Sequence, residues 1–289
     1  MSDLTKMSDL AGISDRTAGA RLWRQLDRWS YALVVGGLGA AAMVLLVAPT
    51  AIVLITSFTS AATLRFPPPG LSIQWYQALF FSSPEIVHAA LISLKVAAAA
   101  TFAGSVLATA AAIAITASKA GWARAADTML MSPLLLPTLA LGLGLLLTFN
   151  LLNVGVSMAT LIIGHTVICF PFVLRTTLAS LAQIDPALEE CSRSLGAGAW
   201  FNFTRVIFPL ARGGIAAGAF IGFMASFDNV AISLFLADAH SEVLPIRLWD
   251  LIENLLDVRA AAASGVLIAT TVVLVILMER LTGLSRYVR

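Results

Sequence analysis

The chain has 289 residues, 59% hydrophobic and 12% charged, with a mean hydropathy of +0.90. A soluble globular domain, in which about 25% of residues are charged, is therefore excluded. The formal net charge of +2 comes from basic residues scattered along the chain, which argues against a phosphate-binding stripe and a nucleic-acid partner.

A membrane-spanning helix needs about 20 apolar residues to cross about 30 Å of hydrocarbon. The expected fold is thus an all-α polytopic membrane helix bundle of about six transmembrane helices. Residues 1 to about 20 are polar, with no signal peptide pattern, and are expected to be mobile; Met1 and Met7 each open the same MSDL string. Arg21, Arg24 and Arg28 recur beside Leu22, Trp23, Leu26 and Trp29, the pattern of a short interfacial amphipathic helix. Residues 1–30 then form a cytoplasmic tail with that helix, and 31–289 the transmembrane domain.

Spans are expected at about 31–59, 87–117, 128–150, 157–181, 213–237 and 259–281. An outer, proline-rich loop follows the first, with Trp75, Tyr76, Phe80 and Phe81 suited to the headgroup level. The alanines of the second span suit close helix packing, and Pro133 and Pro137 are expected to kink the third. Residues 238–257 read as a mildly acidic outer loop. Of the 18 lysines and arginines only Arg65, Lys95, Arg247 and Arg259 fall on the outer side of this arrangement, which sets both termini in the cytoplasm.

A polar stretch between the fourth and fifth spans, about 182–211, then lies in the cytoplasm. Asp185-Pro186 supplies an N-cap and a first-turn proline. A short helix follows, with Leu188, Cys191, Ser192 and Leu195 opposite Glu189, Glu190 and Arg193, ending near Gly196 to Gly198. Trp200, Phe201, Phe203, Val206 and Phe208 add a second apolar strip, and Pro209 marks re-entry into the membrane. A plain interfacial connecting helix would also fit this pattern.

These residues resemble the EAA loop of the membrane subunits of ATP-binding cassette importers: Glu-Ala-Ala, three residues, glycine, nine residues, Ile-x-Leu-Pro. The pattern falls on Glu190-Cys191-Ser192, Gly196, Val206, Phe208 and Pro209, with small residues for both alanines, valine for isoleucine and phenylalanine for leucine. The resemblance implies the type I importer permease architecture in a bacterial inner membrane. It implies a coupling segment at 185–211 that docks a cytoplasmic ATPase dimer through Glu189, Glu190, Cys191, Ser192, Leu195, Gly196, Ala197 and Pro209. ATP and magnesium would be bound by that partner, with no cofactor and no metal in this chain. A second permease and a periplasmic solute-binding protein would complete the assembly in the lipid bilayer. Over roughly 30–285 the chain is similar to permeases of the spermidine/putrescine group, through Ala225 to Ser233 and, less specifically, Leu244 to Trp249. That similarity implies a polyamine-like cargo, with an opine or amino-acid derivative as the alternative.

The residues of the fifth span agree with a pathway helix. Gly214, Gly218, Gly222 and Ser226 recur every four residues, a stripe that admits a close neighbour. Asp228 lies well inside the span, where a carboxylate costs about 2.5–3.5 kcal/mol, so it is expected to face a polar cavity or a partner such as Asn229 or Lys95. Ser226, Phe227, Asp228, Asn229 and Ser233 are the expected substrate-pathway residues. His165, with Cys169 one turn on, reads as a hydrogen-bonded core histidine rather than a metal ligand. The chain contains no G-x-x-x-x-G-K-[ST] loop and no nucleophile–base pair, so a non-catalytic subunit is expected. The competing readings are an ion-gradient-driven secondary transporter, a membrane scaffold and an intramembrane enzyme.

Overall fold

The computed structural model describes the backbone of residues 2–282 and the side chains of residues 30–280, in each case without residue 119. The side chains within 1–29, on which the expected interfacial face depends, Lys119 and the basic end beyond 282 lie outside what is so described, while the backbone from Ser2 runs as helix into the first span. The helices are α1 (Ser2–Ser57), α2 (Gln74–Phe81), α3 (Pro84–Ala117), α4 (Gly121–Leu130), α5 (Thr138–Leu151) and α6 (Met158–Leu181). They continue with α7 (Pro186–Ser194), α8 (Ala199–Asn202), α9 (Phe208–Phe227), α10 (Val230–Leu236), α11 (Leu244–Glu253) and α12 (Val258–Thr282). Five stretches are long and apolar enough to cross a membrane: Ser30–Ser57, Pro84–Ala117, Met158–Leu181, Ala199–Phe227 and Val258–Arg280. A bent pair, Gly121–Leu134 with Thr138–Leu151, makes a sixth if it is one span.

The centre of the bundle is α3, α6 and α9. Ala97, Ala100, Gly104, Ala108 and Ala112 form a buried stripe along α3, and Ala211, Gly218, Gly222 and Ser226 one along α9. Between them α6 is buried on both flanks, from Leu161 through Cys169 and Val173 to Leu181. Small residues matter because in lipid no hydrophobic gain drives helices together, so close backbone packing must hold them. A Cβ added at Gly214 would stand 2.6 Å from Thr176 O, and one at Gly104 3.1 Å from Cys169 Cβ. The sequence also sets the ends of these helices. Ser157 and Thr160 close a reciprocal capping box at the start of α6, and Pro84 opens α3 in its first turn.

Two expected spans are broken. The third turns through 104° between Leu134 and Thr138, because Pro137 removes a donor and holds its own backbone extended (φ −56°, ψ 125°). The fifth was expected to run unbroken over 213–237, but α9 stops at Phe227 and α10 restarts at Val230. Asp and Asn are both poor in helix interiors, and Asn229 instead caps the new helix, its Oδ1 accepting from Ile232 N at 2.8 Å. The outer loops are also more ordered than their composition suggests. The first contains α2, and the second contains α11, whose Leu244 and Leu251 are buried.

Arg259, at the start of α12, ties the outer ends of two spans. Its guanidinium donates to Asp257 (2.9 Å), Ser83 (2.9 Å) and Glu85 (3.1 Å), the last two at the head of α3. Burial pushes the Asp257 carboxyl up, but the hydrogen bonds and charge of Arg259 outweigh this and hold it below the usual carboxylate range.

Candidate functional site

The polar segment forms a defined helical corner. At its start Asp185 accepts from Ala187 N at 2.9 Å, and Pro186 occupies the first turn. At its end Ala197 N donates to Ser192 O at 3.1 Å and Gly196 N to Arg193 O at 2.9 Å, the paired bonds of a Schellman motif. That motif needs a left-handed residue after the helix, which Gly196 supplies at φ +84°. The helix is therefore fixed at both ends by its own residues. Glu189 pairs with Arg193 one turn on, which leaves Glu190 exposed and without an ion pair among the described residues.

None of α7 is buried. Glu190, Cys191, Leu195, Gly196 and Pro209 are exposed, and Glu189, Ser192 and Ala197 are half-exposed. Leu195 is 84% and Trp200 76% exposed, so apolar side chains stand open beside the acidic ones. The chain after α8 takes a π-helical turn, Phe203–Ile207, and runs directly into α9. Phe203 packs against Trp200 at 5.7 Å and Phe208 at 5.9 Å between ring centres, joining the corner to the base of α9. Pro209 lies in the first turn of this continuing helix, within the Ala199–Phe227 span.

At the other end of α9 lies the break. Asp228 is exposed and forms no ion pair among the described residues, Lys95 included. Asn229 is half-buried and committed to capping α10. Ser226 and Ser233 are buried on either side of the break, and Phe227 stacks on Phe223 at 5.9 Å. Phe227 also lines an apolar cleft of about 290 Å³ among α2, α3, α9, α11 and α12, with Leu79, Phe80, Phe223 and Leu267 in its wall. No charged side chain lines that cleft.

The residue that local spacing does not connect to this break is His165. It is buried in α6, with Nδ1 2.8 Å from Ser226 Oγ and Nε2 3.0 Å from Ser233 Oγ. Cys169, one turn on, donates to Gly222 O at 3.3 Å, lies 3.7 Å from Thr101 Oγ1 and also meets the Ser226 side chain. The two serines lie 61 and 68 residues from His165, beyond any motif a single sequence displays. The residues expected to couple and those expected to line the pathway do not meet; α9, of 20 residues and so about 30 Å long, separates them.

Comparison with known proteins gives the family and the fold. Residues 101–285 match the family described as binding-protein-dependent transport system inner membrane component. The chain is 28% identical over 247 residues to the spermidine/putrescine transport system permease protein PotC of Escherichia coli K12, covering 84% of this chain and 92% of that one. It is 25% identical over 231 residues to PotC of Haemophilus influenzae, covering 80% and 90%. With the putrescine transport system permease protein PotI of Escherichia coli K12 it shares 28% over 213 residues, covering 71% and 74%. Among solved structures, a chain of a bacterial ABC transporter involved in the import of the acidic polysaccharide alginate superposes with a TM-score of 0.71 at 13% identity, covering 86% of this chain and 95% of that one. A chain of the MetNI methionine ABC transporter superposes at 0.53 and 19%, covering 71% and 96%. These likenesses displace the secondary-transporter, scaffold and intramembrane-enzyme readings, and the chain belongs to the inner-membrane components of binding-protein-dependent transport systems, with the fold of an ABC importer permease.

Proposed function

We propose that this chain forms half of the translocation pathway of an ATP-driven importer for a polyamine or related small organic cation. It works in a bacterial inner membrane beside a second, different permease, and receives cargo from a periplasmic binding protein. ATP and magnesium belong to a cytoplasmic ATPase dimer, and this chain carries no cofactor. The observation that carries the reading is the open corner at α7: a helix capped at both ends, with Glu190 in no ion pair among the described residues and Leu188, Leu195 and Trp200 exposed around it. An amphipathic helix of this kind suits a groove on a soluble partner.

In this mechanism closure of the ATPase moves α7 and α8, and the aromatic contacts at Phe203 pass that motion to α9. Because α9 is seated glycine-to-backbone on α6, it moves as a packed unit, and the break at its outer end changes its exposure. Asp228 attracts a cation there, and Ser226, Phe227, Asn229 and Ser233 shape its surroundings. A cationic cargo is supported by the Asp228 carboxylate, in no ion pair among the described residues, and by the names of the similar permeases.

The test is a mild-detergent purification of the tagged chain, expressed with its neighbouring genes, in wild-type form and as Glu190→Ala. An ATPase and a second permease are expected to accompany the wild type, and ATPase recovery is expected to fall several-fold in the variant. If the chain purifies alone and is indifferent to Glu190→Ala, the docking role fails.

A further inference from the structure

We infer that His165 is a positioning residue for transport: it ties together the two arms of the broken fifth span and so sets how Asp228 and Asn229 are presented to a passing cation. The inference rests on the pathway role proposed above for Asp228. His165 is 1% exposed and lies on α6, a helix unbroken through this region. Its two ring nitrogens meet two hydroxyls that belong to different helices. Ser226 is in the last turn of α9 and Ser233 in the first turn of α10, and the two residues between those helices are Asp228 and Asn229.

The direction of each bond follows from the protons available. Ser233 Oγ donates its proton to Asn229 O at 2.8 Å, so at His165 it accepts, and Nε2 carries the hydrogen. In the neutral ring Nδ1 then accepts from the Ser226 hydroxyl at 2.8 Å. The chain of bonds runs from Ser226 through the imidazole and Ser233 to the carbonyl of Asn229, spanning the break from one side to the other.

A tie is needed there for a physical reason. At Asp228 and Asn229 the backbone leaves the helical ladder, and α10, only seven residues long, has few bonds of its own to hold its angle. Packing of Ile232 and Leu236 against Gly164 fixes how close α10 lies to α6. A second side of α10 is held on α5, where Ala231 O, Ile232 Cα and Phe235 close on Gly142, and the hydroxyl–imidazole bonds add the polar tie between the start of α10 and the end of α9, on either side of the Asp228 carboxylate. A histidine that merely filled the core would find its partners wherever they fell, whereas these two bracket the single pair of residues at issue.

The test uses the assembled complex in liposomes, with putrescine and spermidine uptake as one readout. The other is the rate at which a cationic methanethiosulfonate modifies Asp228→Cys, with Cys169→Ala and Cys191→Ser removing the native thiols. His165→Leu keeps bulk and loses both bonds, and His165→Gln restores a donor toward Ser233. We expect His165→Leu to change the modification rate about fivefold or more and to lower uptake about tenfold, with ATPase and permease recovery unchanged, and His165→Gln to return both toward wild type. We also expect His165→Leu to add little to Asp228→Asn, since both act through one carboxylate. Equal behaviour of the Leu and Gln variants, or an unchanged modification rate, overturns the tie. If the rate responds while Asp228→Asn transports normally, the pathway role of Asp228 is what fails, and the assignment of His165 to transport falls with it. Should His165→Leu not assemble, Ser233→Ala, which cuts one arm of the tie, is held to the same expectations.

Discussion

The packing of α9 on α6 gives a direct prediction at Gly218. A Cβ placed there stands 2.7 Å from Val173 Cα and 3.0 Å from Phe172 O, and also meets the Thr176 hydroxyl. Two of these neighbours are backbone atoms and no rotamer change moves them. To reach an ordinary contact of about 3.5–4.0 Å the two helices must separate by about 1 Å. Overpacking of this kind costs about 1–3 kcal/mol, against which the better helix propensity of alanine returns up to about 1 kcal/mol. Gly218→Ala is therefore expected to destabilise the chain by about 1–2 kcal/mol, a fall in thermal midpoint of about 2–8 °C, read by near-ultraviolet circular dichroism in detergent. Gly144→Ala is the control, because a Cβ at Gly144 meets nothing within 4 Å, and it is expected to be neutral or slightly stabilising. Equal midpoints for the two variants would refute the argument that glycine is required for contact with α6.

Three further outcomes concern the corner and the outer tie. Gly196→Ala meets no atom within 4 Å, so its whole cost is the left-handed backbone, about 1–2 kcal/mol. It should appear as faster amide exchange at Gly196 and Ala197 and weaker ATPase recovery. Asp185→Ala removes the bond to Ala187 N and is expected to cost about 1 kcal/mol, fraying the first turn of α7 in the same exchange measurement. Asp257 has a folded pKa depressed below its unfolded value of about 3.9, so its contribution is full above that value and lost as pH falls through the folded one. The thermal midpoint is thus expected to drop below about pH 4, and Asp257→Asn to remove that part of the drop; an unchanged acid limb in the variant would exclude Asp257 as its source.

Much of this was legible in the sequence because the signals are local. Apolar runs mark the unbroken spans, Asp185-Pro186 and Gly196 mark the ends of α7, and the four-residue recurrence of Gly214, Gly218 and Gly222 marks the face of α9 that meets α6. The interruptions were harder. Hydropathy averages over a window, and Asp228-Asn229 between two strongly apolar arms barely lowers the mean, so 213–237 read as one helix although Asn229 is a good N-cap. Pro137 was visible, but a proline allows a mild kink as readily as a 104° turn, and only packing decides between them. The helix α11 had a signal that the acidic composition obscured: Leu244, Leu248 and Leu251 share one face behind a first-turn Pro245.

What no local rule reaches is the set of long-range polar bonds. Arg259 meets Ser83 and Glu85 across more than 170 residues, and His165 meets its serines across more than 60. Both sets join an uninterrupted helix to a place where another helix begins or breaks. This follows from the solvent. Inside a bilayer an interrupted helix exposes backbone and polar groups that water cannot satisfy, so a neighbouring rigid helix must supply their partners or hold them in place. At the break in the fifth span Asn229 caps the new helix and His165 of α6 supplies the partner of Ser226 and Ser233. Among the described residues Asp228 is the one at the break whose side chain has no such partner, and the pathway role is proposed for it on that ground.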